Sequence, residues 1–371
     1  MPPAAPAFPV FDAHLDSLQR QLDLDQDLGR RTQGHFDLER AREGGLSTAV
    51  FVCWVDPDSV GGEPGGSRRR AESLLAAFHS LARRHPARLR FAGDGAMLES
   101  AHAAGAIAGI PGIEGGHAIE ESLDALHALF LQGVRVLTLV WNNHLSWIRS
   151  CRGGADASIP EGLSTFGRDV VRAMNELGML VDLSHAGERS FYDALEASSA
   201  PPIASHSGCK SLHDHPRNLT DDQLRALAAA GGVVGIPFCV AFLSREAQAE
   251  DERLRRTDAY RAIRGANPTE LSLRQGSFLQ REAAPLPLEG VVDHVVHAAL
   301  VAGVDHVGIG SDYDGIGRTP VGLEDASCYP NLARALLERG FRPAEVGGVM
   351  GGNMRRAFVR ATTAEEKARS S

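Results

Sequence analysis

Residues 178–207 read GMLVDLSHAGERSFYDALEASSAPPIASHS and contain the pattern that decides the fold. An apolar run ends at His185, a helix-like stretch follows, and a second apolar run ends at His206. Two apolar strands separated by a helix are typical of a parallel sheet that is covered on both faces. Because the ends of such strands lie at one edge of the sheet, this stretch predicts a functional edge that carries two imidazoles.

The same alternation extends along the chain. We predict eight strands, near residues 8–14, 47–55, 106–115, 134–141, 178–185, 201–207, 231–238 and 306–312. Amphipathic segments lie between them, for example at 70–85, 121–133, 165–178, 221–232 and 290–303. Gly133, Gly178 and Gly231 each stand between a helical segment and the next strand, where helices commonly end. Eight strands alternating with helices predict an α/β fold, a single (β/α)8 TIM barrel formed by residues 1–371.

One predicted connection is longer than the others. Residues 239–289, between the seventh and eighth predicted strands, include a charged stretch that is typical of a helix pair outside the core. We expect this helical excursion to be a lid, a subunit contact or a plain surface elaboration. The C-terminal residues 362–371 are expected to fray.

Composition limits the classes of function. The chain has 371 residues, of which 43% are hydrophobic, and a formal net charge of -9. We expect no nucleic-acid or membrane partner, because both would need a concentrated basic face. The five cysteines contain no CxxC pair, which favours a reducing compartment over a disulfide framework. We find no secretory signal pattern and no apolar run of roughly 18 residues, so we expect a cytoplasmic protein.

Metal-type ligands follow several of the predicted strands. His14 and Asp16 are two residues apart, and the two-residue period of a strand places both side chains on one face. Glu114 lies beside glycines in GIEGG, where its two carboxylate oxygens could bridge two cations. The alternative is that Glu114 caps the following helix. His185 and His206, each at the end of an apolar run, favour the bridge.

Asp312 follows the last predicted strand, in IGSDYDG. A carboxylate near a metal-activated water can accept its proton and later pass it to a leaving amine. Asp314 is the main competitor for this role, and Asp312 is favoured because it lies nearer the apolar run. The set predicts a hydrolytic metal centre at the mouth of a barrel, and the metal is left open because N and O ligands accept several divalent ions.

Together these motifs resemble the renal or membrane dipeptidase family, which is peptidase family M19 among the amidohydrolase-like metallo-barrels. The resemblance covers nearly the whole chain, through FDAHLD, GIEGGH, VDLSH, ASHSG, PRNLTDDQLRAL, GSDYDG and GGNMRRAF. It implies two Zn²⁺ ions, one bound by His14 and Asp16 and the other by His185 and His206, with Glu114 bridging them. It also implies that a hydroxide between the ions cleaves the peptide bond of a dipeptide.

The resemblance further assigns substrate-facing residues. Asp312 would be the proton shuttle, and Arg217 in HPRNL would bind the free carboxylate of the substrate, a task that suits a planar bidentate donor. From its local sequence alone, Arg217 would be a surface residue beside a helix start.

One position departs from the family pattern. Animal members carry a substrate-binding histidine after the fourth strand, where this chain has Trp141, and His144 stands three residues later. We expect Trp141 or His144 to contact the substrate. The partner is expected to be a small dipeptide, with L-Xaa-D-Xaa as a plausible class, and a homodimer is left open.

Two other classes of protein share parts of this pattern. Many binuclear amidohydrolases bridge their metals with a carbamylated lysine, but this chain has only Lys210 and Lys367, and neither follows the fourth predicted strand. The sequence therefore argues against a lysine-bridged centre. A mononuclear deaminase, a lactonase or a cyclic amidase is left open, as is a barrel that binds metal without turnover.

Overall fold

Strands and helices alternate in the computed structural model, which describes residues 8–60 and 62–363. The strands are β1 (Val10–Leu15), β2 (Leu46–Trp54), β3 (Leu89–Phe91), β4 (Ile107–Glu114), β5 (Val136–Thr138), β6 (Leu180–Asp182), β7 (Ile203–Ala204), β8 (Val233–Ile236) and β9 (Val307–Ile309). The residues 364–371, within the predicted frayed end, lie outside the described residues.

Helices follow most of the strands. They are α1 (Leu18–Asp23), α2 (Leu38–Glu43), α3 (Gly66–Arg84), α4 (Gly95–Ala103), α5 (Leu123–Leu131), α6 (Thr165–Leu177), α7 (Glu188–Ala197), α8 (Asp221–Ala229), α9 (Val240–Leu243), α10 (Arg245–Arg255), α11 (Asp258–Arg261), α12 (Pro268–Glu282), α13 (Glu289–Ala302), α14 (Tyr329–Glu338), α15 (Pro343–Gly347) and α16 (Asn353–Thr362). Gly178 ends α6 in the left-handed region at φ 70°, a conformation that glycine adopts without steric cost. None of the described helices combines the length and apolar composition that a membrane crossing requires.

Eight of the nine strands found in the described ranges close into a barrel. All neighbouring pairs are parallel, in the order β2-β1-β9-β8-β7-β6-β5-β4, and pairing of β2 with β4 closes the ring. Every residue of β1 and β4 is buried, as expected for strands that are covered by helices outside and packed side chains inside. The predicted (β/α)8 TIM barrel is therefore confirmed.

The ninth strand, β3, is not predicted from the sequence. It pairs with the first half of β4, at residues 107–109, whereas β5 pairs with the second half, at residues 112–114. Both short strands thus share one side of β4. Because β3 has three residues with exposed Arg90 at its centre, it lacks the apolar run by which the other strands are recognised.

The amino-terminal end of the barrel is closed, which leaves the opposite end for the site. Phe11, Val50 and Ile110 belong to a buried cluster that also includes Met354 and Phe358 of α16. The last described helix therefore packs against the bottom of the barrel interior. Polar side chains and cavities gather at the carboxyl ends of the strands, which is the active face of this fold.

The predicted helical excursion lies between β8 and β9 and consists of α9 to α12. It has a small apolar cluster of its own, formed by Leu254, Tyr260 and Leu279. A buried ion pair of 2.6 Å between Arg318 and Asp251 connects α10 to the segment after β9. These contacts hold the excursion beside the mouth of the barrel.

Candidate metal centre

Five side chains converge at the carboxyl ends of four strands. His14 and Asp16 stand at the end of β1, Glu114 ends β4, His185 follows β6 and His206 follows β7. All five residues are buried, with at most 6% of their surface exposed. The structure brings together the whole predicted ligand set.

The carboxylate of Glu114 lies between two groups of ligands. Its Oε1 is 2.8 Å from Nε2 of His185 and 3.5 Å from Nε2 of His206, while its Oε2 is 3.6 Å from Nε2 of His14. The Nε2 atoms of His185 and His206 are 3.1 Å apart. Nitrogens and oxygens that point at a common centre from several sides form a suitable donor set for divalent cations.

Unpartnered polar atoms test whether a metal fits. Within the described residues, Nε2 of His14 and Oδ1 of Asp16 are buried and have no hydrogen-bond partner. A buried polar atom without a partner is costly, and the great majority of such atoms in proteins are satisfied. A cation between these atoms would satisfy both, so the residues fit a metal.

The backbone is adapted at the ligand positions. The pairing of β1 with β2 shifts register between Asp12 and Leu15, directly around His14. Such irregularities redirect side chains at the ends of barrel strands. His185 and Asp312 adopt left-handed φ values of 68° and 62°, which are uncommon outside glycine and concentrate at functional sites.

A buried carboxylate behind the ligands fixes two of the imidazoles. The oxygens of Asp182 accept hydrogen bonds from Thr138 Oγ1 (2.5 Å), the Ser184 N–H (3.0 Å), the Ser205 N–H (2.8 Å) and Ser205 Oγ (2.6 Å). Ser205 Oγ lies 2.8 Å from Nδ1 of His206 and 3.3 Å from Nδ1 of His14. With Nδ1 engaged, Nε2 of each ring is directed at the metal position.

Asp182 and Ser205 are functional residues that the sequence reasoning missed. The signal for Asp182 was a carboxylate inside an otherwise apolar run, LVDLSH, where a charge is expected only if it is paired.

The histidines differ in pKa. Burial lowers the pKa of His185 to about 4, with a further contribution from Arg217. Burial also lowers the pKa of His206 well below its usual value, helped by His14 and Arg217. For His14, burial opposes the charged form, but the carboxylates of Glu114 and Asp16 outweigh it and raise the pKa well above its usual value. His185 and His206 therefore present the neutral imidazoles that metals bind.

The two candidate proton shuttles, Asp312 and Asp314, have different surroundings in the structure. Burial raises the pKa of Asp312 well above its usual range; His14 opposes this, and the carboxylates of Asp16 and Glu114 add to it. Asp314 instead forms a buried ion pair of 2.8 Å with Arg20. Asp312 thus lies among the candidate ligands, within reach of His14 and Asp16, whereas Asp314 is committed to Arg20.

Gly315 allows the segment after β9 to approach the carboxylates. A β-carbon built at this position would lie 2.3 Å from Oδ2 of Asp16 and 2.4 Å from Oδ1 of Asp312. Both distances are far shorter than a van der Waals contact. A residue larger than glycine would therefore displace the two acidic groups.

A cavity of about 350 Å³ opens above the ligands. Its walls include Trp54, Asp56, Trp141, Arg217, Phe242 and the start of α12, namely Pro268, Thr269, Ser272 and Leu273. This volume lies at the small end of the range for ligand pockets. The arrangement suits a small substrate over the metal position.

Arg217 is buried, with 2% of its surface exposed. The surface position expected from its local sequence is therefore wrong. Its Nη2 donates a hydrogen bond of 3.0 Å to the backbone oxygen of His206, and its Cζ lies 5.4 Å from the ring centroid of Phe242. Within the described residues its Nε is buried without a partner, which leaves a donor for an anion.

The two aromatic candidates are placed differently. Trp141 lines the cavity, with its ring centroid 6.3 Å from that of His185. His144 is not among the cavity-lining residues, because its ring is held in its own loop. Its Nδ1 accepts a hydrogen bond of 3.1 Å from the Ser150 N–H, and its Nε2 is 3.4 Å from the Gly153 oxygen. Of the two, only Trp141 is therefore positioned at the cavity.

Comparisons with known proteins agree with this geometry. A family model described as membrane dipeptidase, peptidase family M19, matches residues 4–371. A solved structure of dipeptidase AC, a family M19 metallopeptidase, is 28% identical with a TM-score of 0.78, and the match covers 96% of this chain and 99% of that chain. A metallopeptidase from Rhodobacter sphaeroides, solved with a phosphinate mimic of the dipeptide L-Ala-D-Ala, is 27% identical with a TM-score of 0.78 and coverage of 95% and 99%.

A third structure extends the likeness of fold. The probable dipeptidase PvdM from Pseudomonas aeruginosa is 24% identical with a TM-score of 0.83, and the match covers 96% of both chains. At this identity the likeness concerns the architecture.

Proposed function

This chain belongs to the membrane dipeptidase family, peptidase family M19, and is a metallo-dipeptidase; we propose that it cleaves L-Xaa-D-Xaa dipeptides at a binuclear zinc centre. His14 and Asp16 would bind one Zn²⁺, and His185 and His206 the other. Glu114 would bind both.

The position of Glu114 is the observation that carries this proposal. Its two oxygens face different ligands, Oε2 towards His14 and Oε1 towards His185 and His206. A carboxylate that offers one oxygen to each of two groups is suited to bridging two cations. A single ion would leave one of its oxygens without a cation.

The substrate would be held at its free carboxylate. Arg217 offers a buried guanidinium whose Nε has no partner within the described residues, and a guanidinium pairs well with a carboxylate. The cations, when bound, would supply Lewis acidity at the scissile carbonyl and acidify the attacking water.

Asp312 would move the proton. Its carboxylate would accept the proton of the attacking water as the new C–O bond forms. It would then donate that proton to the nitrogen as the C–N bond breaks, releasing a free amine and a carboxylate. Burial keeps the pKa of Asp312 raised, which favours a group that can both accept and donate.

The stereochemical part of the proposal draws on the Rhodobacter sphaeroides structure, which holds a mimic of L-Ala-D-Ala and is 27% identical to this chain. A cavity of about 350 Å³ beneath α12 also suits a dipeptide better than a longer peptide.

Metal reconstitution combined with a substrate panel tests the proposal. The metal-free protein is loaded with zinc, the bound metal is counted by mass spectrometry, and hydrolysis of L-Ala-D-Ala and L-Ala-L-Ala is compared. We expect two zinc per chain, with the L,D dipeptide cleaved faster. The amide L-Ala-D-Ala-NH₂, which lacks the anion for Arg217, is the matched control and should be a poor substrate. Turnover confined to cyclic amides, lactones or aminopurines would contradict the proposal.

A further inference from the structure

The order of strands fixes the direction in which a dipeptide would lie. β2 and β7 are opposite in the ring, with β1, β9 and β8 between them on one side and β4, β5 and β6 on the other. Arg217 lies in the segment that follows β7. With the substrate carboxylate at Arg217 and its carbonyl at the metal centre, the N-terminal residue points towards β2.

Two aromatic rings form the wall at that end of the cavity. Trp54 is the last residue of β2 and lies in register with Glu114 on the neighbouring strand β4. Trp141 follows β5, and the two indole centroids are 5.1 Å apart. Both residues line the cavity.

Asp56 adds an uncommitted negative charge to this wall. It lies two residues after Trp54 and lines the same cavity. Within the described residues its carboxylate accepts one hydrogen bond, of 3.0 Å from the Asp58 N–H, and forms no ion pair. Arg20, which lines the same cavity, is already paired with Asp314. Asp56 therefore has a free oxygen for a cation.

We propose that Trp54, Asp56 and Trp141 form the subsite for the side chain of the N-terminal residue and that this subsite selects arginine or lysine. Indole faces attract cations, and a carboxylate beside them adds a charged hydrogen-bond acceptor. The α-ammonium group of the substrate is attached to the carbon beside the scissile carbonyl. It therefore stays near the carboxylates of the metal centre. A long cationic side chain extends beyond it to Asp56. This inference rests on the proposed dipeptidase function and names its substrate class.

A neutral isostere of arginine tests the proposal. We compare kcat/KM for L-Arg-D-Ala, L-citrulline-D-Ala and L-Ala-D-Ala in the zinc-loaded wild type and in Asp56→Asn. We expect the wild type to prefer arginine over citrulline by about tenfold. Asp56→Asn should remove that preference and leave the other two substrates within about twofold. Asn keeps the oxygen that accepts from the Asp58 N–H, so the loop should be retained.

Asp58→Asn is the matched control, because this neighbouring carboxylate is exposed and does not line the cavity. It should change none of the three rates. The charge reversal Asp56→Arg should shift the preference towards L-Glu-D-Ala.

Three results would overturn the inference. The first is an equal loss on all three dipeptides in Asp56→Asn, which would place Asp56 at the α-ammonium group. The second is an unchanged preference for arginine in that variant. The third is equal rates for the arginine and citrulline dipeptides in the wild type. If the wild type cleaves none of the three dipeptides, the proposed dipeptidase function itself is contradicted. This result is distinguishable from the three results above.

Discussion

The metal centre has two halves that the protein supports by different means. In the half with His185 and His206, both rings are held through Nδ1, by Asn142 Oδ1 at 3.1 Å in His185 and by Ser205 Oγ at 2.8 Å in His206. The half with His14 and Asp16 contains crowded acidic groups and two buried atoms that lack partners within the described residues.

The difference in histidine pKa between the halves indicates which half depends more on a bound cation. Burial keeps the pKa of His185 and His206 low, so these rings are in their metal-binding form without any ion. In the other half the carboxylates raise the pKa of His14, so a proton there takes the place that a cation would occupy. The histidine half is preorganised, and the acidic half depends on metal for its electrostatic balance.

Glu114 belongs to both halves, and its replacement should have the largest effect. In Glu114→Gln we expect kcat/KM to fall by at least about 10³-fold and metal content to fall below two equivalents, because the amide would remove the charge that the two proposed ions would share. Mass spectrometry and dipeptide assays measure this. Glu120→Gln, on an exposed neighbouring residue, is the control. Two retained metals with normal turnover would remove Glu114 from the bridge.

Replacing each aspartate after β9 should separate chemistry from stability. Asp312→Asn should keep the metals and lose about 10² to 10⁴-fold in kcat, because the amide cannot carry the proton. Asparagine tolerates the left-handed φ of 62° at this position, so folding should be preserved. Asp314→Asn should instead lower thermal stability, because it leaves Arg20 buried without its ion-pair partner. An unchanged rate in Asp312→Asn would exclude it as the shuttle.

Loss of a candidate ligand and loss of the carboxylate behind the ligands should have different effects. At the proposed binuclear centre, Asp16→Asn should release one zinc, because it would remove a direct ligand. Asp182→Asn should retain both zinc ions at saturation but weaken their affinity by about 10 to 100-fold, since it acts through Ser205. Chelator competition titrations measure both affinities. Equal affinities in the two variants would contradict the distinction between a direct ligand and a supporting carboxylate.

Acidification should weaken the support of the histidine half. His294 accepts a hydrogen bond of 2.9 Å from the Cys209 N–H, in the segment that follows His206. Burial lowers the pKa of His294 to about 4, from 6.5 in the unfolded chain. Between these values the unfolded state binds more protons, so stability is full above pH 6.5 and is lost as the pH falls towards 4, by up to about 3 kcal/mol.

Urea unfolding at several pH values measures this loss. In His294→Asn, which offers an oxygen to the Cys209 N–H without titrating, the pH dependence should be flatter. An equal slope in the two proteins would assign the effect to other groups.

The smallest effect is expected outside both halves. His144→Ala should change kcat/KM by less than about threefold, because its ring nitrogens contact Ser150 and Gly153 rather than the cavity. Trp141→Ala should raise KM by about tenfold through loss of a cavity wall. The reverse order of the two effects would restore His144 as the substrate contact.

The sequence was sufficient to predict the barrel and the side chains that meet at its mouth, because both depend on local patterns. An apolar run that stops at a histidine or carboxylate marks His185, His206 and Asp312 directly, and parallel strands bring such ends together. The β3 strand could not be predicted from the sequence, because three residues with exposed Arg90 at the centre give no periodic signal.

Features that depend on packing were harder to predict. The burial of Arg217 arises from its contacts with Phe242 and the His206 backbone, which are distant in sequence or formed by loop geometry. The confinement of His144 to its loop depends on the Ser150 N–H. Asp56 follows an apolar run just as Asp312 does, but no partner histidine nearby in sequence drew attention to it.

Gly315 shows how a residue without a functional group can govern acid–base chemistry. The hydrogen at its α-carbon occupies space where even a methyl group would collide with Asp16 and Asp312. Mutational tolerance at this position should therefore be set by the spacing of the acidic pair, and Gly315→Ala should impair catalysis although it removes no reactive atom. A scan restricted to ionisable side chains would overlook this constraint.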